Sequence, residues 1–505
     1  MKKIKILLII ASVMIVSSCG DKLAELNIDP DTSPTGSAPE VFTAAQAFYG
    51  IAYDGYFNET DAVLAQYWAG GPGVALLDIE RYFFEPLDFD IAWSYSFLQA
   101  LSDLSFVIDD AENNQALAAA ADILSVYIYQ NLVDHYGDIP YATSLSGDPS
   151  KGGVIAPEYD GGKAVYDQLV TRIAAAVAIL ADPALADEMG VEDQIFGEFV
   201  DPTDPSDVEL ATQLTNWIRF GNSIHLKLLM RQSITDPSVG SAVTALVSSQ
   251  QSLFIQDESQ LARIKFQGET GQNWNPMYAR REQGVGQFYI ASNSSVTRMV
   301  SLNDPRLPVI YDEAENTGTI VGIDQGDIVN RQELAAGDVS FPSSVAYGPA
   351  NDVILMSHWE VMFLRAEADM RFGTNDDETA MFNAAVTAHF DYVGATLGDY
   401  LTTETVYNPA STTEAKSNMI GLQKWISFNG LQESEGWIEA RRFDTPSTPI
   451  FTGGTNPVFM TPARSQFPDG VFPVRYLYPQ TELDFNARNV PGLSGVIDKP
   501  VFWDN

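Results

Sequence analysis

The sequence predicts a mainly helical protein on three observations: apolar side chains recur at helical spacing, one long segment is apolar on every side, and the intervening segments are rich in turn-forming residues. The clearest periodic set is Val165, Leu169, Ile173, Ala176 and Leu180. Residues spaced three and four apart share one face of a helix. We therefore expect a helix here with its apolar face buried.

Two further periodic sets follow toward the C terminus. They are Trp217, Phe220, Ile224 and Leu228, then Trp359, Phe363, Ala366 and Met370. In the second helix Glu367 precedes Arg371 by four residues, which predicts a surface ion pair. The segment 116–132 is apolar nearly all round, as expected of a helix enclosed by others. The helices fall in pairs without a fixed period, so helical-hairpin repeats stay an open alternative.

Long segments rich in Gly, Pro, Asn and Ser separate these helices at 183–207, 266–306 and 312–352. They exceed the length of ordinary connections, and long loops often carry binding function. We predict irregular loops in all three and expect the ligand face among them.

The first nineteen residues have the order of an export signal. Three lysines among the first five residues accompany an apolar run at 4–16, and Ser17, Ser18 and Cys19 follow. This resembles a bacterial lipoprotein signal, in which the Cys is lipidated and becomes the first mature residue. An ordinary secretory signal is the alternative. We predict a signal peptide at 1–18, a lipidated tether at 19–40, and a folded domain at 41–505.

The charge balance excludes several classes of partner. The 505 residues carry 28 Lys and Arg against 67 Asp and Glu, a formal charge of −39. A chain with so few basic residues cannot neutralise the phosphates of nucleic acid or the head groups of an anionic bilayer. Both are therefore poor partners. No segment after the signal is predicted to span a membrane, so lipid is the only predicted membrane attachment. One Cys and four scattered His give no predicted metal site, and no cofactor is predicted.

The familiar catalytic motifs are missing from the sequence, which contains no nucleophile elbow, phosphate-binding loop, dinucleotide fingerprint or zinc-protease helix. Glu435, Glu439 and Arg442 lie at helical spacing and are interpreted as a charged helix face. His135 is interpreted as a buried or helix-end histidine satisfied by hydrogen bonds. We predict no catalytic residue.

Acidic side chains cluster between Asp182 and Glu209, where ten acids occur without one base. Clustered carboxylates on a loop can hold calcium, but the ligand order and the glycine turn of a dedicated calcium loop are lacking. A solvated acidic loop is the favoured interpretation, and calcium is the alternative.

The window 263–306 has the opposite charge, with six basic residues against three acidic ones. It also contains aromatic rings, which stack on sugar faces while Arg side chains bind hydroxyls or carboxylates. Packing of these rings onto the helices is an equal alternative. The candidate ligand-binding residues are Trp274, Tyr278, Arg280, Arg281 and Tyr289, together with Tyr67 and Trp68, for which a core position is favoured.

Seven segments occur in an order that resembles the SusD/RagB family of outer-membrane lipoproteins. They are LAELNIDPDTSP, LVDHYGDIPYATSL, NWIRFGNSIHLKLLMR, SLNDPRLPVIY, LMSHWEVMFLRAEADMRFG, IGLQKWISFNGLQESEGWIEARRFDTP and FPVRYLYPQTELDFNARNV. The likeness is greatest to the branch with an asparagine–acid–proline motif, which here is Asn27, Ile28, Asp29 and Pro30. No binding residue is transferred from the family.

The resemblance implies an all-α fold built from tetratricopeptide-like helix pairs, with long irregular loops that form the ligand-binding face. It implies a lipoprotein on the outside of the outer membrane that captures oligosaccharides or polysaccharides as a lid over a SusC-like TonB-dependent transporter, without catalysis. A peptide-binding lid is the alternative, and a carboxylate-based glycoside hydrolase is a lesser one. The acidic composition also favours a neutral glucan and a saline habitat.

Overall fold

The computed structural model describes residues 36–504, except for 76, 202, 270–272, 283–287, 446, 448 and 493–496. The predicted signal at 1–18, Cys19 and the motif Asn27 to Pro30 lie outside the described residues. The first helix begins at Ala38, three residues before the predicted start of folding.

The protein is built mainly from α-helices. In the N-terminal half they are α1 (Ala38–Ala52), α2 (Glu59–Leu64), α3 (Asp90–Ser94), α4 (Ser102–Asp109), α5 (Gln115–Tyr136), α6 (Gly162–Leu180), α7 (Asp207–Gln232) and α8 (Gly240–Gln250). In the C-terminal half they are α9 (Pro276–Glu282), α10 (Asn293–Ser301), α11 (Leu307–Ile310), α12 (Ile328–Glu333), α13 (His358–Phe372), α14 (Glu378–Val393), α15 (Tyr400–Thr403), α16 (Thr413–Phe428), α17 (Glu433–Phe443) and α18 (Gln480–Phe485).

Shorter helical turns join these elements. Two π-helical turns, Tyr53–Asn58 and Tyr95–Leu101, connect α1 to α2 and α3 to α4. The 3-10 turns are Ile79–Arg81, Pro86–Phe89, Pro149–Lys151, Pro183–Glu188, Gly197–Phe199, Pro237–Val239, Glu258–Gln260 and Ala336–Asp338.

Neighbouring helices pack as pairs, in a tetratricopeptide-like arrangement: α5 lies against α6, α6 against α7, α13 against α14, and α16 against α17. Each periodic set predicts its helix correctly, and Val165, Leu169 and Leu180 are fully buried on α6. Sequence-encoded caps fix the ends; Asn114 accepts the main-chain N–H of Leu117 at 2.8 Å and starts α5.

Helix α5 is enclosed by other helices, as its apolar composition predicts. Among the described residues it is also the helix that is long and apolar enough to cross a membrane, and 94% of that window is buried inside the protein. Its burial identifies α5 as a core helix. Within it, His135 is buried, with Nδ1 2.7 Å from the carbonyl of Asn131 and Nε2 2.7 Å from Asp61, which confirms the predicted satisfied histidine.

Three small antiparallel ladders fix the long loops to the helices. Strand β1 (Trp68–Gly70) pairs with β5 (Tyr289–Ala291), β2 (Ile139–Pro140) with β3 (Tyr159–Asp160), and β4 (Ala262–Ile264) with β6 (Val353–Met356). The prediction of wholly irregular loops is therefore wrong for 266–306, which contains α9, β5 and α10, and for 312–352, which contains α12. These elements are too short for apolar periodicity to show them, and β5 also depends on pairing with a strand more than 200 residues earlier in the chain.

A buried ion network joins five helices, and the interpretation of Glu435, Glu439 and Arg442 as a charged face must be corrected. Their helical spacing on α17 is confirmed, but this face points into the protein. The network consists of Asp134 on α5 with Lys227, Arg231, Glu360, Glu367, Lys424, Glu435, Glu439 and Arg442 on α7, α13, α16 and α17, all buried. The Glu367–Arg371 pair exists at 2.6 Å, but it also lies against this network because Glu367 binds Arg442.

The acidic segment from Asp182 to Glu209 uses several of its carboxylates to fix its own turns. Asp182 accepts the N–H of Ala184, and Asp201 that of Thr203. Asp193 is buried and accepts Trp217 Nε1 at 2.7 Å. Across the described ranges, no group of three or more His, Cys, Asp or Glu is arranged to hold a metal ion.

Candidate ligand-binding site

The positive charge of the window 263–306 is largely compensated by acids from elsewhere in the chain. Arg280 Nη1 lies 2.7 Å from Glu59, and Arg281 binds the same carboxylate. Arg263 lies 3.1 Å from Asp352. Arg280 and Arg281 were predicted to bind ligand, but both anchor α9 to Glu59 at the start of α2, and Arg280 also donates to the carbonyl of Gly55 in the preceding π-helical turn. The excess charge along the sequence is therefore not a free positive surface.

Three of the predicted ligand-binding aromatics have no surface for a ligand to contact. Tyr67 and Trp68 have 0% exposure, and Tyr289 has 3%. Tyr67 donates its hydroxyl to the carbonyl of Trp425 at 2.5 Å, and Tyr289 donates to Glu59. The core position favoured for Tyr67 and Trp68 is confirmed. The assignment of Tyr289 as a contact residue is corrected to a core position, because β5 pairs with β1 and both strands are buried.

Trp274 differs from every other tryptophan of the chain. The sequence has eight tryptophans, all of them among the described residues, and the other seven are buried. Trp274 is only partly buried. Because a partly exposed indole leaves apolar surface in water, its exposure marks a candidate contact surface.

Trp274 begins a row of three partly buried rings, which we call the aromatic row: Trp274, Tyr278 and Tyr347. The rings of Trp274 and Tyr278 meet edge to face with centroids 5.4 Å apart, and those of Tyr278 and Tyr347 are 5.2 Å apart. Buried Trp68 packs behind Tyr347 at 5.9 Å. The two predicted residues Trp274 and Tyr278 thus come together, and Tyr347, which was not predicted, extends them.

Local hydrogen bonds hold the aromatic row in place. Trp274 Nε1 donates to the carbonyl of Gly268 at 3.1 Å. Asn275 Oδ1 accepts the N–H of Tyr278 at 3.0 Å, and Asp54 accepts that of Met277 at 3.3 Å, so two side chains cap the first turn of α9. These contacts present a fixed surface and lower the conformational entropy lost on binding.

A cavity of about 240 Å³ adjoins the aromatic row at Tyr347. Its walls come from the π-helical turn after α1, the start of α9, the loop before β6 and the start of α17. They include Asp54, Asn275, Met277, Tyr347, Asn351, Tyr392, Gly430 and Glu433. Gly430 has φ +83°, and a Cβ there would lie 2.4 Å from that of Ala346, so this wall needs glycine.

Two buried carboxyl groups, Asp54 and Glu433, face the cavity. Asn58 connects their elements: its Nδ2 donates to Asp54 at 3.0 Å, and its Oδ1 accepts the N–H of Ser434 at 3.0 Å. Burial raises the pKa of Asp54 to about 6. Burial, followed by the charge of Asp54, raises the pKa of Glu433 well above its ordinary value.

The site combines apolar ring faces with a polar recess, an arrangement that can orient a polyhydroxylated molecule. Ring faces pack against the C–H face of a sugar, while amide and carboxyl groups fix its hydroxyls. Sequence reasoning missed Tyr347, Asp54 and Glu433. The cavity brings together residues that are separated by up to about three-quarters of the chain, from Asp54 to Glu433, and no spacing rule predicts that they meet. Only Asn275, next to Trp274, could have been suspected.

The fold and the site place this protein in a general class of helical proteins, in which paired helices support a ligand-binding surface built from loops. A profile of the SusD-like family, described as starch-binding and associating with the outer membrane, matches residues 33–479. The chain belongs to this family.

Solved structures share the fold at low sequence identity. A SusD homologue from Bacteroides uniformis is 21% identical with a TM-score of 0.74, covering 93% of this chain and all of its own. A chitin-binding SusD homologue from Flavobacterium johnsoniae is 20% identical with a TM-score of 0.73, covering 93% of this chain and 98% of its own. No curated protein matches the chain.

Proposed function

We propose that this protein is a glycan-binding lipoprotein of the outer membrane that captures oligosaccharides or polysaccharides and delivers them to a TonB-dependent transporter. Family membership supports the outer-membrane setting, and relatives described as starch-binding or chitin-binding support a glycan ligand. The observation that carries the proposal is the aromatic row, begun by the one partly exposed tryptophan and ending at a polar cavity.

The glycan carries few or no anionic groups. The formal charge of −39 repels polyanions, and the basic residues that could have received them are compensated by Glu59, Glu198 and Asp352. A neutral marine glucan, favoured by composition, belongs to this class. The saline habitat is a separate proposal that rests on composition alone.

The proposed attachment to the membrane follows from the lipoprotein-like signal at the start of the sequence. Lipid on Cys19 would hold the folded part through the tether at 19–40, which at roughly 3 Å per residue reaches several tens of ångströms when extended. That reach lets the domain face outward, close over a SusC-like transporter and open again. Delivery is then binding followed by closure, and it needs no catalytic step.

Binding without hydrolysis fits the carboxyl pair. A glycosidase needs one carboxylate that stays ionised beside one protonated acid. Asp54 and Glu433 both have raised pKa values, and Asp54 already caps α9. Release of reducing sugar by the purified protein, abolished by Glu433→Gln, would contradict this proposal.

Affinity electrophoresis in native gels tests the proposed function. Gels containing starch, a soluble chitin derivative, a β-1,3-glucan or anionic alginate would be compared with a gel without polysaccharide. We expect retardation by at least one non-anionic polysaccharide and none by alginate. No retardation by any of them, with peptides co-purifying, would contradict glycan binding and favour the peptide-binding lid.

Trp274→Ala tests the site within that experiment. Removing one stacking ring costs about 1 kcal/mol, so we expect roughly fivefold weaker binding. Phe485→Ala is the matched control, because Phe485 is 83% exposed on α18 and does not line the cavity. Equal affinities for the two variants would place the site elsewhere.

A further inference from the structure

Glu433 is a buried carboxyl for which the described chain supplies no opposite charge. Its exposure is 2%, and none of the described Lys, Arg or His side chains lies within 4 Å of it. Other buried acids are held by several donors. Asp193, for example, also lacks a cation but accepts hydrogen bonds from Gln46, Gln213 and Trp217.

No hydrogen bond from another described residue accounts for a carboxyl at this position. Asp54 has a structural task, because it accepts hydrogen bonds from Asn58 and Met277. Glu433 is the first residue of α17, and its carboxyl has only its own main-chain N–H as a hydrogen-bond donor in the described chain. A buried carboxyl without a partner lowers stability, and glutamine would fill the same space without the charge. The carboxyl thus points to a partner that enters the cavity.

We propose that the cavity receives the protonated primary amine of an amino sugar, with Glu433 as its counter-charge and the aromatic row packed against the sugar ring. The inference rests on the proposed glycan-binding function and names its ligand class. An ammonium group has three donors, and Glu433, Asp54 and Asn275, which all line the cavity, carry side-chain oxygens that can accept them.

The size and charge of the site favour an amine on a sugar over other cations. About 240 Å³ lies below the ~300 Å³ of pockets for drug-sized molecules, so the cavity accepts one group of a longer ligand. The described residues hold no cluster of three ionisable metal ligands. The acidic surface attracts a polycation from a distance, and the neighbouring rings provide the stacking face that a sugar needs.

Calorimetric titration with three matched oligosaccharides tests the inference. Oligomers of β-1,4-linked glucosamine, N-acetylglucosamine and glucose share one backbone and differ only at C2, which carries an amine, an acetamide or a hydroxyl. At pH 6.0, where the amine is largely protonated, we expect the glucosamine oligomer to bind at least tenfold more tightly than the other two. Equal or weaker binding of the glucosamine oligomer would overturn the inference.

A charge-removing variant locates the effect. Glu433→Gln should weaken binding of the glucosamine oligomer at least tenfold and change binding of the glucose oligomer less than twofold. The matched control is Glu414→Gln, which makes the same change in net charge at an exposed position of α16. Equal weakening by both variants would show a long-range charge effect and overturn the assignment to Glu433. If Glu433→Gln does not fold, the wild-type comparison of the three oligomers still decides.

The outcomes separate this inference from the proposed function. Binding of the neutral or acetylated oligomer without a preference for the amine leaves glycan binding intact and overturns the amine site. Binding of a lysine-rich peptide amide that depends on Glu433, without binding of any oligosaccharide, overturns both the inference and the proposed glycan-binding function.

Discussion

Glu433 and Glu435 stand two residues apart at the start of α17, both are buried, and their surroundings are opposite. Glu435 lies 2.7 Å from Arg231 and 2.7 Å from Lys227. Glu433 has no such partner among the described residues and faces the cavity. Burial disfavours ionisation of both, but Arg231 and Lys227 outweigh it for Glu435 and lower its pKa, whereas the pKa of Glu433 is raised.

The comparison separates charges that serve the fold from a carboxyl that does not. In the ion network each carboxylate lies next to at least one cation. Glu439 contacts three of them, Lys424, Arg231 and Arg442. Such groups hold α5, α7, α13, α16 and α17 in one relative arrangement, because removing any member leaves another uncompensated. Glu433 is not part of this network. Its substitution by glutamine is therefore expected to raise stability and to weaken ligand binding.

The largest expected effect comes from breaking the network. Arg442→Met removes the cation that lies 2.5 Å from Glu367 and 2.7 Å from Glu439. Because two buried carboxylates each lose one of their cations, we expect a loss of about 3–5 kcal/mol in the free energy of unfolding. Denaturant unfolding followed by circular dichroism measures it, with Lys163→Gln in an exposed ion pair as the control. A loss below about 1 kcal/mol would show that the network contributes little.

A smaller effect is expected at the cavity wall. Gly430→Ala places a Cβ at φ +83° and against Ala346, which costs roughly 1–3 kcal/mol and moves the wall. Gly373→Ala is the matched control. It introduces the same kind of backbone strain at φ +63°, but no atom lies within 4 Å of its Cβ position, so it makes no steric contact. Glycan affinity should fall for Gly430→Ala alone. Equal loss of affinity in both variants would contradict the role of this wall.

The smallest effect, and the one that directly contrasts the two glutamates, is on thermal stability. At pH 8, Glu433→Gln should raise Tm by roughly 1–3 °C because an unpaired charge is removed, whereas Glu435→Gln should lower Tm. The raised pKa of Glu433 means that its destabilising penalty is absent below the pKa of the unfolded chain, grows as pH rises above that value, and is complete once pH exceeds the folded pKa. The gain should therefore disappear near pH 4. A lower Tm for Glu433→Gln at pH 8 would give this carboxyl a structural role.

Much of the fold could be predicted from the sequence, because long helices repeat their apolar positions locally. The face of Val165, Leu169 and Leu180 is buried as predicted. The short strands and α9 could not be foreseen, since pairing such as that of Trp68 with Ala291 depends on distant segments. Helical spacing also could not tell whether the charges of α17 face water or the protein interior.

The candidate site was predicted only in part. Trp274 and Tyr278 do lie together, because Trp274 lies two residues before α9 and Tyr278 lies in the first turn of that helix. The basic window misled the interpretation, since Arg280 and Arg281 find Glu59 more than 200 residues away in the sequence. Local charge along a chain does not show compensation in space, and Glu433 needed the whole fold to be recognised.

A co-crystal structure with a glucosamine oligomer tests the central claim most directly. The account predicts a sugar ring packed on Trp274, with the amine of the ring that enters the cavity within hydrogen-bond distance of Glu433. An oligosaccharide bound on another face, with the aromatic row bare and the cavity empty of ligand, would contradict it.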